Sequence, residues 1–272
     1  MSERVELRRS VINITARCTL RCKLCVMGIP FYKDPPHYSY ETIAKTIDRH
    51  FEVVDFVKWF EFSGGEPFIH KDLDRMVKKT MEYSEQFEKL LIITNATLMP
   101  SENLLKEMIK FKDKIIVMIS HYGELSTKAD ELIALLDREY IEADVKKYYG
   151  EEQHFGGWVD YGDYNKFNRT EEELTEIFKN CAATKMGGLF TTHGGQMHWC
   201  VPSARGMKLL GVVPQDKSDY IDLFDDNISV EQQKEKILSI INKKHIAACD
   251  HCSGLHGTTD MSKRHKAAEQ VL

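Results

Sequence analysis

Along the first 145 residues, short β-branched apolar runs alternate with stretches whose apolar positions recur every three to four residues. That alternation predicts repeated βα units around a parallel sheet. Strands are expected at residues 11–15, 57–63, 90–94 and 114–120, with a short fifth near 141–145. The intervening helices are expected at about 40–51, across the face Leu73, Met76, Val77 and Met81, across Leu104, Leu105, Met108 and Ile109, and at about 127–140. The methionines on these patterns, with Met118, read as core.

Beyond residue 146 the period is lost. Residues 147–169 are aromatic and glycine-rich and read as a long structured loop, and Thr170 with Glu173 forms a capping-box pattern before a helix carrying Leu174, Ile177 and Phe178. Two extended arms about Gly194-Gly195 predict a hairpin ending at Cys200. A further helix with Ile237, Leu238 and Ile241 leads into Cys249-Asp-His-Cys252. The expected architecture is α/β: a partial (β/α) barrel of about six units over residues 1–170, a small β-hairpin plus helix extension at 171–260 covering its open edge, and a loose tail at 261–272.

Charge adds exclusions. With 37 basic and 42 acidic side chains the net charge is -5, and no basic stripe exists to attract nucleic acid. No apolar run reaches the roughly 18 residues of a membrane span, and no signal-peptide pattern opens the chain. The expected setting is cytoplasmic, where closely spaced cysteines are metal ligands more often than disulfides.

The seven cysteines divide into two sets. Cys18, Cys22 and Cys25 follow the first strand as CxxxCxxC, while Cys181, Cys200, Cys249 and Cys252 are spread over the expected extension. Three thiols hold an iron-sulfur cube with one iron left open to a small molecule, whereas a zinc site would want a fourth ligand. The set of four suits either a fully ligated cluster or a structural zinc.

The cysteine loop after strand one, followed by Gly64-Gly65-Glu66-Pro67 after strand two, resembles the radical S-adenosylmethionine enzymes. The resemblance implies that the open iron chelates S-adenosylmethionine and that the GGE segment engages its amino group through backbone carbonyls and the acidic side chain. Reductive cleavage then gives a 5'-deoxyadenosyl radical. It further implies cofactor contacts at Leu24, which stands where relatives often carry an aromatic residue, at Asn95 in a Thr-Asn-Ala-Thr segment, and at Ser120 on the end of strand four. A glycine-rich adenine motif on strand five is missing. The second cysteine set resembles the twitch domain, the short form of the SPASM extension, whose four cysteines hold an auxiliary 4Fe-4S cluster. That points to enzymes similar to the aminocyclitol dehydrogenases, with the auxiliary cluster accepting the electron of a substrate radical as an alcohol becomes a ketone.

If all seven cysteines are ligands, no thiol remains to quench a radical from the opposite face, so oxidation is favoured over epimerisation. A peptide-modifying enzyme and a non-enzymatic electron carrier are the remaining alternatives. The substrate is expected between the clusters, a polyhydroxylated sugar-like molecule held by His154, Trp158, Asp160, Tyr161, Asp163 and Arg169, one of which removes the hydroxyl proton. His193, His198, His251 and His256 are read as packing or outer partners of the second site. A flavodoxin- or ferredoxin-type protein would supply electrons.

Overall fold

The computed structural model describes residues 3–255 and 264–271. Five parallel strands form the heart of the fold: β1 (Glu6–Thr15), β2 (Phe56–Gly64), β3 (Phe87–Thr94), β4 (Ile115–His121) and β5 (Glu142–Lys147). Helices α1 (Tyr40–Val53), α2 (Leu73–Thr80), α3 (Glu102–Lys110) and α4 (Ala129–Arg138) connect them. The eight-stranded sheet runs β5-β4-β3-β2-β1-β7-β8-β9, so consecutive strands are neighbours as right-handed βα units require.

Two of the four connecting helices begin at side-chain caps. Ser39 and Ser101 cap α1 and α3 by accepting the Thr42 and Leu104 amide hydrogens. Leu73, Met76 and Val77 of α2 meet Phe60, Phe62, Leu90 and Ile92 from one sheet face in a single buried core. Ile109 departs from its expected place: it is exposed at the edge of α3, while Leu104 and Met108 carry that helix's buried stripe. Met118 also lies off the core, half-buried on the face of β4 turned away from the helices.

That opposite face is polar. Arg9 pairs with the fully buried Glu61 across β1 and β2, and Asn13 Nδ2 donates to Thr191 Oγ1 at 2.6 Å.

The strand following β5 corrects the expected count of units. Residues 158–159 form a two-residue strand, β6 (Trp158–Val159), which leaves the main sheet and pairs with β10 (Arg264–His265). The next sheet position is taken by the hairpin. β7 (Phe190–His193) runs parallel to β1 with Ser10 opposite Phe190, then turns at Gly194 and Gly195 into antiparallel β8 (Gln196–His198) and β9 (Tyr220–Asp222). Both turn glycines have positive φ, as a tight two-residue hairpin demands. The hairpin, expected to cover the open edge of the barrel, extends the β1 edge by backbone pairing.

Helix α5 (Glu171–Asn180) opens with the expected capping box, Thr170 and Glu173 each bonding the other's backbone. The single turns α6 (Ala182–Lys185) and α7 (Val201–Ser203) follow, then α8 (Val230–Ile241), which has a second capping box between Ser229 and Gln232.

The tail is not loose where it is described. Lys23 N donates to Glu269 O at 2.7 Å, Val271 N to Arg21 O at 2.8 Å, and Ala268 is buried against Leu20 and Cys22. Backbone pairing and a small apolar contact hold residues 264–271 down, signals too short to read from a terminal stretch. No helix among the described residues is long and apolar enough to cross a membrane.

His50 on α1 is fully buried between Phe51 and Phe60, both ring nitrogens lack a partner, and burial lowers its pKa to about 3. The unfolded chain binds a proton that the fold excludes, so this group removes stability as pH falls below 6.5 toward its folded value. One pH unit corresponds to about 1.4 kcal/mol. Between pH 6.5 and 4.5 the wild type should lose about 2–3 kcal/mol more than His50→Phe, measured by urea unfolding of the metal-free protein.

Candidate functional site

β1 ends at Thr15, and the chain then turns through the three-cysteine loop across the carboxyl ends of β1 to β3. In a parallel α/β sheet this end is where connecting loops build sites. Gly65 N donates to Thr15 O at 2.7 Å and Glu66 N to Arg17 O at 2.9 Å, so the GGE segment is stitched to the strand that delivers Cys18. Glycine is obligatory at both places. A Cβ on Gly64 would lie 2.0 Å from Thr15 O and one on Gly65 2.0 Å from Arg17 O.

Glu66 departs from the role its resemblance implies. Its carboxyl is buried and accepts from Thr94 Oγ1 (2.9 Å), Phe68 N (3.0 Å) and Asn95 N (2.8 Å). Burial raises its pKa to about 7 despite these donors. The side chain is turned inward to brace β3, because four charge-accepting sites in an apolar interior need donors and the end of β3 supplies them. Pro67 is buried directly after it.

Asn95 completes the link, donating through Nδ2 to Thr19 Oγ1 (3.1 Å) and to Cys18 Sγ (3.5 Å). Leu24 is half-buried within the loop, and Ser120 ends β4, hydrogen-bonded to the Tyr122 side chain.

The three sulfurs act on one another electrostatically. Burial pushes Cys18 to about 11 and Cys22 to about 12 and also raises Cys25; Cys25 adds to the rise at Cys18, and Cys25 and Cys18 add to it at Cys22. N–H groups point at them: Leu20 N at Cys18 (3.4 Å), Gln270 Nε2 at Cys22 (3.3 Å), and backbone amides of residues 27–29 at Cys25. Such donors stabilise thiolates around an iron-sulfur centre and tune its potential. Gln270 was not legible as a site residue, since nothing in its neighbourhood marks it.

The other four cysteines converge from α5, β8 and the turn at Ala247–His251 onto one cavity of about 150 Å³, lined also by Tyr161, Phe178, Trp199 and Val26. Burial raises Cys249 to about 12 and Cys252 to about 11 and also lifts Cys200, with charges on the other members of the set contributing. Gly254 N reaches Cys252 Sγ at 3.3 Å. Among the described residues no three His, Cys, Asp or Glu side chains converge closely enough to share a single ion. A cavity walled by four thiols, and a loop of three thiols with donors aimed at each, both fit clusters. Loading would release protons from thiols held neutral by burial.

The six expected substrate residues are not gathered in one place. Trp158 and His154 belong to an aromatic wall beside the three-cysteine loop: Trp158 meets Tyr122 edge-on at 5.6 Å, Tyr122 stacks on Tyr148 at 5.4 Å, and Tyr148 meets His154 at 5.4 Å. Tyr161 lines the four-cysteine cavity instead. Asp160 and Asp163 are exposed and accept from Gly162 N and Asn165 N, closing turns in a loop that needs such local partners. Arg169 donates to the Cys249 carbonyl (2.6 Å) and the Cys252 carbonyl (3.1 Å), holding the loop that carries both thiols.

Of the four histidines read as packing or outer partners of the second site, the three described are buried but do not line its cavity. His193 and His198 are buried and held neutral, lowered to about 3 by burial; His198 Nδ1 faces Ser203 Oγ at 3.3 Å and stacks on Tyr220. His251 Nδ1 meets Tyr164 O at 2.9 Å. His256 lies outside the described residues.

Gly65→Ala should cost at least about 3 kcal/mol, because the added methyl meets backbone that is itself hydrogen-bonded. Urea unfolding of the metal-free protein measures the loss; a cost under about 1 kcal/mol would refute the obligatory contact.

Comparison with known proteins follows the same division of the chain. Residues 12–129 match the model of the Radical SAM superfamily. A GTP 3',8-cyclase of Aliarcobacter butzleri is 31% identical over 90 residues, 32% of this chain and 27% of the relative. The antilisterial bacteriocin subtilosin biosynthesis protein AlbA of Bacillus subtilis is 33% identical over 116 residues, 41% and 23% respectively. The chain thus spans about a quarter of the length of these curated relatives. Among solved structures, native anSMEcpe with bound AdoMet aligns with a TM-score of 0.52 at 14% identity, covering 88% of this chain and 84% of that one. BtrN in complex with AdoMet and 2-DOIA aligns over the whole of both chains with a TM-score of 0.51 at 17% identity. These two likenesses are of fold. The stretch that matches the Radical SAM superfamily model, residues 12–129, holds β1 to β4, the three-cysteine loop and the GGE turn.

Proposed function

We propose that this chain is a radical S-adenosylmethionine oxidoreductase, a partial (β/α) barrel with a twitch-type extension, that oxidises an alcohol of a carbohydrate-like small molecule. The observation that carries the reading is the separation of seven cysteines into a loop of three and a cavity of four, with Val26 of the first loop forming part of the second cavity's wall. When bound, the open cluster and S-adenosylmethionine supply hydrogen-atom abstraction, and the auxiliary cluster supplies an electron acceptor.

The chain's own residues would do the rest. Gly64 and Gly65 allow backbone to approach the methionine moiety, Asn95 fixes the first thiolate, and Leu24 and Ser120 flank the nucleoside. Trp158, Tyr122 and Tyr148 give an apolar aromatic wall that would exclude water from a reactive carbon. His154 stands at its end, its pKa lowered by burial and by the nearby Lys146, and would accept a hydroxyl proton. A flavodoxin- or ferredoxin-type donor would reduce the first cluster.

A peptide substrate is the second reading, favoured by the likeness to AlbA, whose name places it in bacteriocin biosynthesis.

After anaerobic reconstitution the wild type should hold about eight irons and Cys249→Ala/Cys252→Ala about four, with labile sulfide in step. Both proteins should release 5'-deoxyadenosine from S-adenosylmethionine under strong reductant. About four irons in both would remove the auxiliary cluster and make a redox-neutral reaction such as epimerisation the better account, and no 5'-deoxyadenosine would sink the radical reading.

A further inference from the structure

Arg205 follows Cys200 by five positions, on the irregular helical stretch Ala204–Leu209. Its side chain leaves the extension and reaches the first loop. Nη1 lies 3.4 Å from the carbonyl oxygens of both Cys25 and Val26, and the guanidinium sits 5.0 Å over the Tyr164 ring. The first loop makes room for it. Gly28 has a φ of 66°, and a Cβ there would come within 2.4 Å of Arg205 Nε.

Among the described residues this cation has no acidic partner. Its partners are two carbonyls and a ring, while Nε is buried with no acceptor at all. A guanidinium desolvated without a carboxylate is costly unless negative charge stands close by. Here it stands on both sides. Cys25 adjoins the carbonyls that Arg205 touches, and Val26, the next residue, lines the cavity of Cys181, Cys200, Cys249 and Cys252. The guanidinium lies where the wall of one centre becomes the wall of the other, and its field favours the thiolates of both Cys25 and Cys252.

We propose that Arg205 is the positive counter-charge shared by the two cysteine centres, a positioning residue that makes both clusters easier to reduce. The inference rests on the two-cluster reading above. Thiolate-bound clusters become more negative on gaining an electron, so a fixed cation beside them favours the reduced form and raises the potential. Arginine suits the place because it stays charged when desolvated and stacks flat on an aromatic ring.

The test is an EPR-monitored redox titration of the reconstituted full chain, with iron counted, for wild type, Arg205→Gln and Arg205→Lys. In Arg205→Gln both midpoints should move negative, the reduced-to-oxidised ratio at fixed potential falling about tenfold, which is about 59 mV for one electron. Arg205→Lys, titrated at a pH low enough to keep a desolvated ammonium protonated, keeps the charge and should stay near wild type. Full iron with unmoved potentials in Arg205→Gln overturns the proposal. If Arg205→Gln loses iron, the lysine variant decides: full iron with wild-type potentials supports the role of charge, and full iron with a tenfold loss refutes it. A wild type holding only about four irons would instead strike the two-cluster reading itself.

Discussion

A single buried carboxyl decides where three strands end relative to one another. Glu66 receives Thr94, Asn95 and Phe68, while the backbone around it is pinned to Thr15 and Arg17. Through Asn95 the same knot reaches Thr19 and the sulfur of Cys18. Loosening any of these bonds leaves an interior donor or acceptor without its partner, at about 1–3 kcal/mol each. The three-cysteine loop is therefore an outgrowth of the sheet's own termination and inherits its rigidity.

The second centre is built on a different plan. Its four thiols come from separated turns and are gathered by apolar packing, Phe178 and Trp199 among them, with Arg169 clamping the loop of Cys249 and Cys252. The hairpin that brings Cys200 is fastened to β1, the strand that also presents Cys18. One strand thus sets the distance between the two centres, and the Val26 side chain and the Arg205 guanidinium occupy what lies between.

Much of this was legible in the sequence where one local rule governs. The 3.6-residue periods of α1 and α2 and the capping box at Thr170 each translate directly into observed elements, and CxxxCxxC followed by GGEP places a loop and a turn on adjoining strand ends. What failed to read were positions decided by distant partners. Asp160, Asp163 and Arg169 have the chemistry of ligand-binding residues, yet two close local turns and the third serves a loop 80 residues away. Arg205 and Gln270 gain meaning only from neighbours 180 and 248 positions removed. The hairpin's pairing with β1 was equally hidden, since β-pairing across such separations leaves no periodic trace.

The contact between Gln270 and Cys22 joins parts of the chain 248 positions apart. Contacts of that span form late, because the intervening chain must be made and ordered before the ends can meet. Until then the three-cysteine loop stands uncovered at the end of a sheet whose own contacts are mostly between successive strands. The loop's cover is thus the last part of its surroundings to assemble, pairing only when residues 264–271 reach Arg21, Cys22 and Lys23.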